Sequence, residues 1–126
     1  MKTIRVIDFT DLPGPRYIDD DEGETSGEQF RQTHLEKPFE EAVKTRTPLR
    51  VDLDGTKHGY PPSFLEESFG GLARIWTDPA ASPKLTLTQV ADLIVIKSDS
   101  APLYVELVRK MILEADKVRA KRKTKR

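Results

Sequence analysis

The chain alternates between short β-type segments and stretches with helical periodicity, and this order constrains the fold more than any other feature. The clearest strand is residues 49–54, where leucine and valine alternate with charged side chains. Residues 4–9 form a second candidate strand, and residues 93–96 are a continuous apolar run typical of a buried central strand. A short helix is predicted at residues 85–91 and a long final helix from residues 98–102 onward. This alternation predicts a small α/β domain with a mixed or mostly parallel sheet packed by helices.

The first long helix is predicted to follow an acidic loop. That loop, residues 10–25, is longer than ordinary connections, and long ordered loops are often functional. Thr25 and Glu28 have capping-box spacing, which predicts Thr25 as the N-cap. Pro38 falls within the apolar stripe of the helix, and proline lacks the N–H that continues a helix. We therefore expect a kink or break near residues 36–37.

The second long helix is predicted to begin at Ser63, which has capping-box spacing with Glu66. Gly70 and Gly71 lie in the middle of its apolar stripe. Each glycine costs about 1 kcal/mol relative to alanine inside a helix, so we expect another backbone to approach closely there. Trp76 lies at the end of the same stripe and is interpreted as a core residue.

The formal net charge is zero, but the charges are distributed unevenly. Residues 1–116 carry 14 basic and 21 acidic side chains, whereas residues 117–126 carry seven basic and no acidic ones. We predict a folded domain over 1–116 and a disordered basic tail over 117–126. The tail is interpreted as a nucleic-acid or anionic-surface contact, a solubilising helix end, or a segment that reaches back to the acidic loop.

Several classes of function are disfavoured by composition. The chain has no cysteine and only two histidines, which excludes disulfides, thiolate chemistry and cysteine-ligated metal centres. Phosphate-binding and dinucleotide-binding glycine motifs are missing, and so are zinc-protease and EF-hand patterns. No apolar run approaches the length needed to span a bilayer, and the N-terminus does not resemble a signal peptide. We expect a cytoplasmic protein that is not an enzyme, does not bind a membrane, and has no metal or cofactor.

Two groupings invite a catalytic interpretation, and neither is adopted. Asp54, His58 and Ser63 lie too close together in sequence, and no oxyanion hole is recognisable beside them. Glu66 and Glu67 are neighbours on a helix, so their side chains should point about 100° apart. No catalytic residue is predicted.

Three residues remain as candidates for binding or modification. Ser63, at the start of the second helix, is a candidate phosphoacceptor, because the helix dipole favours an added phosphate there. Arg16 and Tyr17 in the long loop are candidate ligand or anion contacts. A local salt bridge between Arg16 and the acidic run explains the same pattern.

Four segments carry a resemblance to a known family. They are PGPRY at residues 13–17, SGEQFR at residues 26–31, VDLDG at residues 51–55, and SFLEESFGGL at residues 63–72. Together with the strand at 93–96 and the final helix, the chain resembles the STAS-like domain family, a bacterial domain of unknown function. That family is similar to STAS domains, which include anti-sigma-factor antagonists.

The resemblance implies a regulatory role. In anti-sigma-factor antagonists, a serine at the start of a helix is phosphorylated by a histidine-kinase-like ATPase that is also the binding partner. Here the phosphoacceptor position falls on Pro62, and Ser63 occupies the next position, so the phosphoswitch is not carried over directly. The partner-binding role implies contacts at Ser63, Phe64 and Glu67.

The sequence thus favours a non-catalytic protein-interaction module that docks a histidine-kinase-like ATPase or related regulator through the N-terminus of the second helix. Two alternatives stay open. One is a nucleic-acid-associated protein that uses the basic tail. The other is a protein that binds a small ligand or a metal at the acidic loop.

Overall fold

Three short parallel strands form the centre of the fold. The structure, a computed structural model, describes residues 1–118. The strands are β1 (Thr3–Arg5), β2 (Leu49–Asp52) and β3 (Ile94–Lys97), in the order β1-β2-β3. Both pairings are parallel, with Ile4 opposite Val51 and Val51 opposite Ile96. The predicted α/β class is therefore confirmed, with a parallel sheet.

Strand β2 is the central strand, and its alternating pattern is confirmed. Leu49, Val51 and Leu53 are buried, because all three side chains belong to the hydrophobic core. The prediction that residues 93–96 form a central strand is wrong: within residues 1–118, β3 pairs only with β2. Its Val95 side chain is 37% exposed, so an apolar run here marks an edge strand.

Helices surround the sheet and account for most of the described chain. Helix α1 spans residues 27–45 and contains a π-helical turn at Arg31–Leu35 between Gly27–Phe30 and Glu36–Thr45. Helix α2 spans residues 62–76 and contains a π-helical turn at Glu66–Gly70 between Pro62–Leu65 and Gly71–Trp76. Helices α3 (Leu87–Asp92) and α4 (Leu103–Leu113) flank β3. Within residues 1–118, no helix is both long and apolar enough to cross a membrane.

The N-cap of α1 is Ser26, one residue after the predicted Thr25. The Ser26 hydroxyl accepts a hydrogen bond from the backbone N–H of Gln29 at 3.0 Å. Glu28 does not close a capping box but accepts a hydrogen bond from the N–H of Ile18 at 3.0 Å. The side chain of Glu28 thus fastens the long loop to the helix that follows it.

The irregularity of α1 lies one turn before the predicted kink. In the π-helical turn, the N–H of Glu36 bonds to the carbonyl oxygen of Arg31, five residues back. Pro38 follows in the first turn of the next α-helical segment, where a missing N–H costs least. The helix therefore continues through Pro38 to Thr45 instead of breaking at residues 36–37.

Helices α1 and α2 pack closely against each other near their N-termini. A Cβ atom on Gly27 would collide with the carbonyl oxygen of Phe64, so only glycine permits this approach. The rings of Phe30 and Phe64 stack across the same contact, with centroids 5.9 Å apart. At the far end, Trp76 packs edge-on against Phe39 with centroids 5.7 Å apart, which agrees with its predicted core position.

The C-terminal part of the chain agrees with the sequence pattern as far as it is described. Thr86 and Gln89 form a reciprocal capping box at the start of α3, and α4 begins directly after Pro102. Of the predicted basic tail, residues 119–126 lie outside the described residues.

Candidate functional site

A buried ionic cluster joins the long loop, α1 and α2. We define it as Arg16, Arg31, Glu66, Glu67 and Arg74. The two glutamates begin the π-helical turn of α2, and their side chains are 10% and 6% exposed. The expectation that Glu66 and Glu67 diverge is wrong, because both carboxylates lie within 4 Å of the same guanidinium groups of Arg16 and Arg74.

Glu66 is held by two arginines from different parts of the chain. Arg74, two turns further along α2, donates to both carboxylate oxygens at 2.7 and 3.0 Å. Arg16 Nη1 from the long loop donates to Glu66 Oε1 at 2.5 Å. Glu66 is therefore an ion-pair residue and not the helix-capping residue that its spacing predicted.

Glu67 is held mainly by Arg31 of α1. Arg31 Nη2 donates to Glu67 Oε2 at 3.1 Å, and Arg31 Nε donates to the Glu67 backbone carbonyl at 3.2 Å. Arg31 Nη1 also forms an ion pair with Glu36. The other carboxylate oxygen, Glu67 Oε1, is buried and makes no hydrogen bond within residues 1–118. It lies 3.5 Å from Arg16 Nη1 and 3.7 Å from Arg74 Nη2.

The two glycines in α2 are explained by this cluster. A Cβ atom on Gly71 would lie 2.8 Å from Arg31 Nε, and one on Gly70 would collide with Glu66 Oε2. We expected a close backbone at these positions, but it is charged side chains that cross the helix here. The lost helix propensity is offset by the ion pairs that the glycines make room for.

The cluster also controls the ionisation of Arg16. Burial alone would lower the Arg16 pKa, but the hydrogen bond to Glu66 and the negative charges of Glu66 and Glu67 outweigh burial. The Arg16 pKa is therefore raised above its ordinary value, and Arg16 stays charged. Its partner is Glu66, 50 residues away, and not the acidic run beside it.

The predicted contact residues occupy different environments. Phe64 is fully buried in the core and Glu67 is 4% exposed, so the prediction that these two side chains touch a partner is contradicted. Tyr17 is also buried, and its N–H donates to Asp20 Oδ2 at 3.0 Å. Arg16 is committed to the ionic cluster, so the loop does not present these two residues as an open ligand site.

Ser63 keeps an accessible position. The residue before α2, its N-cap, is Pro61, and no side chain caps the helix there. Ser63 is the second helical residue and is half-buried, and its hydroxyl makes no hydrogen bond within residues 1–118. The predicted capping role of Ser63 is therefore wrong, and its hydroxyl remains uncommitted.

A second polar cluster lies at the carboxyl ends of β2 and β3. We call it the Asp54 cluster, made of Asp54, Lys97, Asp99 and Ser100. Asp54 accepts hydrogen bonds from Lys97 Nζ at 2.9 Å, from the N–H groups of Asp99 and Ser100 at 3.0 Å, and from Ser100 Oγ at 2.8 Å. The Ser100 N–H, Lys97 and Asp99 N–H hydrogen bonds lower the pKa of Asp54 well below its ordinary value.

This arrangement engages the Asp54 carboxylate with groups other than His58 and Ser63, the other two residues of the rejected triad. The carboxylate of Asp54 is occupied by β3 and the loop after it, whereas His58 is exposed in a turn. Behind the turn, the Tyr60 hydroxyl donates to the Leu53 carbonyl at 2.7 Å. Burial raises the pKa of Tyr60 to about 12, so its hydroxyl keeps the proton that it donates even at alkaline pH.

Comparisons with known proteins do not assign a family. No family model, no curated protein and no solved structure matches the chain. Within residues 1–118, no group of three or more His, Asp or Glu side chains is arranged to hold a metal ion.

Proposed function

We propose that this chain is a non-catalytic regulatory module that docks a partner protein at the N-terminus of α2. The proposal rests on the resemblance to STAS-like domains together with the position of Ser63. In the structure, Ser63 follows strand β2 and an exposed turn and lies in the first turn of a long helix. The partner class implied by the resemblance is a histidine-kinase-like ATPase or a related regulator.

The observation that carries the proposal is the uncommitted hydroxyl of Ser63. A capping serine accepts a hydrogen bond from its own helix, and an added phosphate would have to replace that bond. Ser63 has no such engagement, and the preceding prolines have no N–H to donate. A phosphate on Ser63 would add a charge of about −1.5 to −2 beside the positive end of the helix dipole.

The docking surface is smaller than the sequence implied. Because Phe64 and Glu67 are buried, a partner would contact Ser63 and the exposed side chains that precede it in the chain. These belong to the turn before α2 and the first helical residue: Lys57, His58 and Pro62. Lys57 is itself tied to Asp11 by an ion pair of 3.1 Å, which links this turn to the start of the long loop.

The test is recovery of the tagged full chain from its own cells, with mass spectrometry of co-purifying proteins and of the Ser63 peptide. We expect a stoichiometric ATPase-type partner, lost in Ser63→Asp and retained in Ser63→Ala. Since Ser63 is not a cap, Ser63→Ala should change the free energy of unfolding by less than about 0.5 kcal/mol.

Thr88→Asp is the matched control, because Thr88 is the exposed second residue of α3. It adds the same charge at the equivalent helical position and should leave partner recovery unchanged. Equal recovery by Ser63→Asp and the unsubstituted chain would refute the docking site. Recovery of nucleic acid without protein would replace the proposal with the tail-based alternative.

A further inference from the structure

A cavity of about 600 Å³ opens beside the ionic cluster. Its floor is formed by Arg31, Glu67 and Arg74, and its wall is formed by Trp76 and the turn after α2. Ile75 at the rim is 42% exposed, so apolar surface faces the opening. The cavity thus combines a charged floor, an aromatic side chain and an accessible rim.

The arginine donors of the floor are already engaged. Arg31 donates to Glu36 and to both the side chain and the backbone of Glu67. Arg74 donates to both oxygens of Glu66 and to the carbonyl of Ala115 at 3.1 Å. An anionic ligand would have to compete with buried carboxylates for these guanidinium groups.

The acceptors around the cavity are less completely used. Asp78, at its rim, accepts one hydrogen bond from the Ala80 N–H at 2.8 Å and forms no ion pair within residues 1–118. Glu67 Oε1 in the floor is without a hydrogen bond. The charged side chains that line the cavity are two arginines, Arg31 and Arg74, and two acids, Glu67 and Asp78. Both arginines are paired with glutamates, so the Asp78 carboxylate is the lining charge that remains for a ligand.

We infer that this cavity binds a small organic cation with an apolar body, such as an arylalkylamine or an aromatic amidine. The cationic group would pair with Asp78, and Trp76 would supply a cation–π contact and apolar area. Glu67 would add negative potential from the floor without direct contact. This site is separate from the docking surface at Ser63, so either proposal can fail alone.

The test uses the fluorescence of Trp76, the only tryptophan in the chain. We expect benzamidine to change the Trp76 emission saturably, with a dissociation constant in the micromolar to millimolar range. The neutral isostere benzamide should bind at least about tenfold more weakly, since a hydrogen bond between charged groups is stronger. Benzoate, of the same shape and opposite charge, should not bind.

Two substitutions locate the binding. Asp78→Asn keeps an oxygen that can accept the hydrogen bond from the Ala80 N–H but removes the negative charge. It should lower the affinity for benzamidine about tenfold. Ala81→Leu narrows the cavity without touching the ion pairs and should abolish binding; a urea titration verifies that it folds. Asp21→Asn makes the same charge change at an exposed residue that does not line the cavity, and should have no effect.

The proposal is overturned by any of three results. The first is no response to benzamidine at millimolar concentration. The second is equal binding of benzamidine and benzoate. The third is an Asp78→Asn variant that binds benzamidine as well as Asp21→Asn does.

Discussion

The ionic cluster and the Asp54 cluster join distant parts of the chain by different means. In the ionic cluster, side chains pair with side chains inside the protein, and the Glu66 and Glu67 carboxylates are at most 10% exposed. In the Asp54 cluster, two of the four hydrogen bonds to Asp54 come from backbone N–H groups, and the Lys97 side chain is 40% exposed. The ionic cluster fixes how α1, α2 and the long loop pack together. The Asp54 cluster joins the segments that follow the carboxyl ends of β2 and β3.

The difference shows what burial demands of a charged group. A buried carboxylate loses its hydration and needs several donors in return. Glu66 obtains three hydrogen bonds from two arginines. The ion pairs of the two glutamates need two adjacent glycines within α2, since Gly70 makes room for Glu66 and Arg74, and Gly71 makes room for Arg31 and Glu67. Asp54 does not need neighbouring glycines to make room for several side-chain donors, because water reaches the side chains that surround it.

The largest effect is expected when the ionic cluster loses one partner. Arg31→Met removes the group that donates to the Glu67 carboxylate and backbone carbonyl, so the buried Glu67 carboxylate loses its hydrogen-bonded ion-pair partner and keeps only the more distant Arg16 and Arg74. We expect the free energy of unfolding to fall by about 3–5 kcal/mol, measured by urea denaturation. The exposed pair of Arg109 and Asp92, at 3.3 Å, provides the control, and Arg109→Ala should cost less than about 1 kcal/mol.

A double variant sharpens this result. Arg31→Met with Glu67→Leu removes both charges of the pair, so it should be no less stable than the worse of the two single variants. Additive losses would mean that the two residues contribute through packing and not through their pairing.

The sequence predicted the fold better than it predicted the ionic cluster. The alternation of apolar and charged residues over 49–54 directly indicates that one face of the strand is buried. In the same way, the apolar stripes of α1 and α2 indicate which face of each helix packs into the core. Arg31 and Glu67, in contrast, are 36 residues apart and become neighbours only when α1 packs on α2. No local pattern encodes that contact.

Local patterns were also misleading where tertiary contacts intervened. Ser63 and Glu66 have capping-box spacing, but Arg16 and Arg74 engage Glu66, and Pro61 occupies the N-cap. The one sequence signal of the cluster was the pair Gly70 and Gly71, which follows the two glutamates after only Ser68 and Phe69. It indicated a close approach but not that charged side chains make it.

An intermediate effect is expected at Asp54, and it should depend on pH. The pKa of Asp54 lies below its ordinary value of 3.8 in the folded chain. The charged carboxylate therefore stabilises the fold above pH 3.8, and this stabilisation is lost as the pH falls below that value. Asp54→Asn should lower the melting temperature at neutral pH. The difference in melting temperature between this variant and the unsubstituted chain should disappear as the pH falls.

The control for this pH profile is again Asp21→Asn, an exposed carboxylate with no described ion pair. Its melting temperature should follow that of the unsubstituted chain across the whole range. If the Asp54→Asn gap stayed constant down to strongly acidic pH, hydrogen-bond geometry and not charge would explain the role of Asp54.

The smallest effect is expected from added salt. The response to salt is also the most direct way to distinguish the buried ionic cluster from the partly exposed Asp54 cluster. Lys97 Nζ lies 2.9 Å from Asp54 and 3.0 Å from Asp99, and these hydrogen bonds raise its pKa above the ordinary lysine value. At about 1 M salt the Debye length falls to about 3 Å, so partly exposed pairs are screened whereas buried pairs are not. The melting-temperature loss in Lys97→Met should therefore shrink at high salt, while the loss in Arg31→Met should persist. Equal salt sensitivity in the two variants would show that solvent reaches both clusters, and that the distinction between a buried and a partly exposed set of charges does not hold.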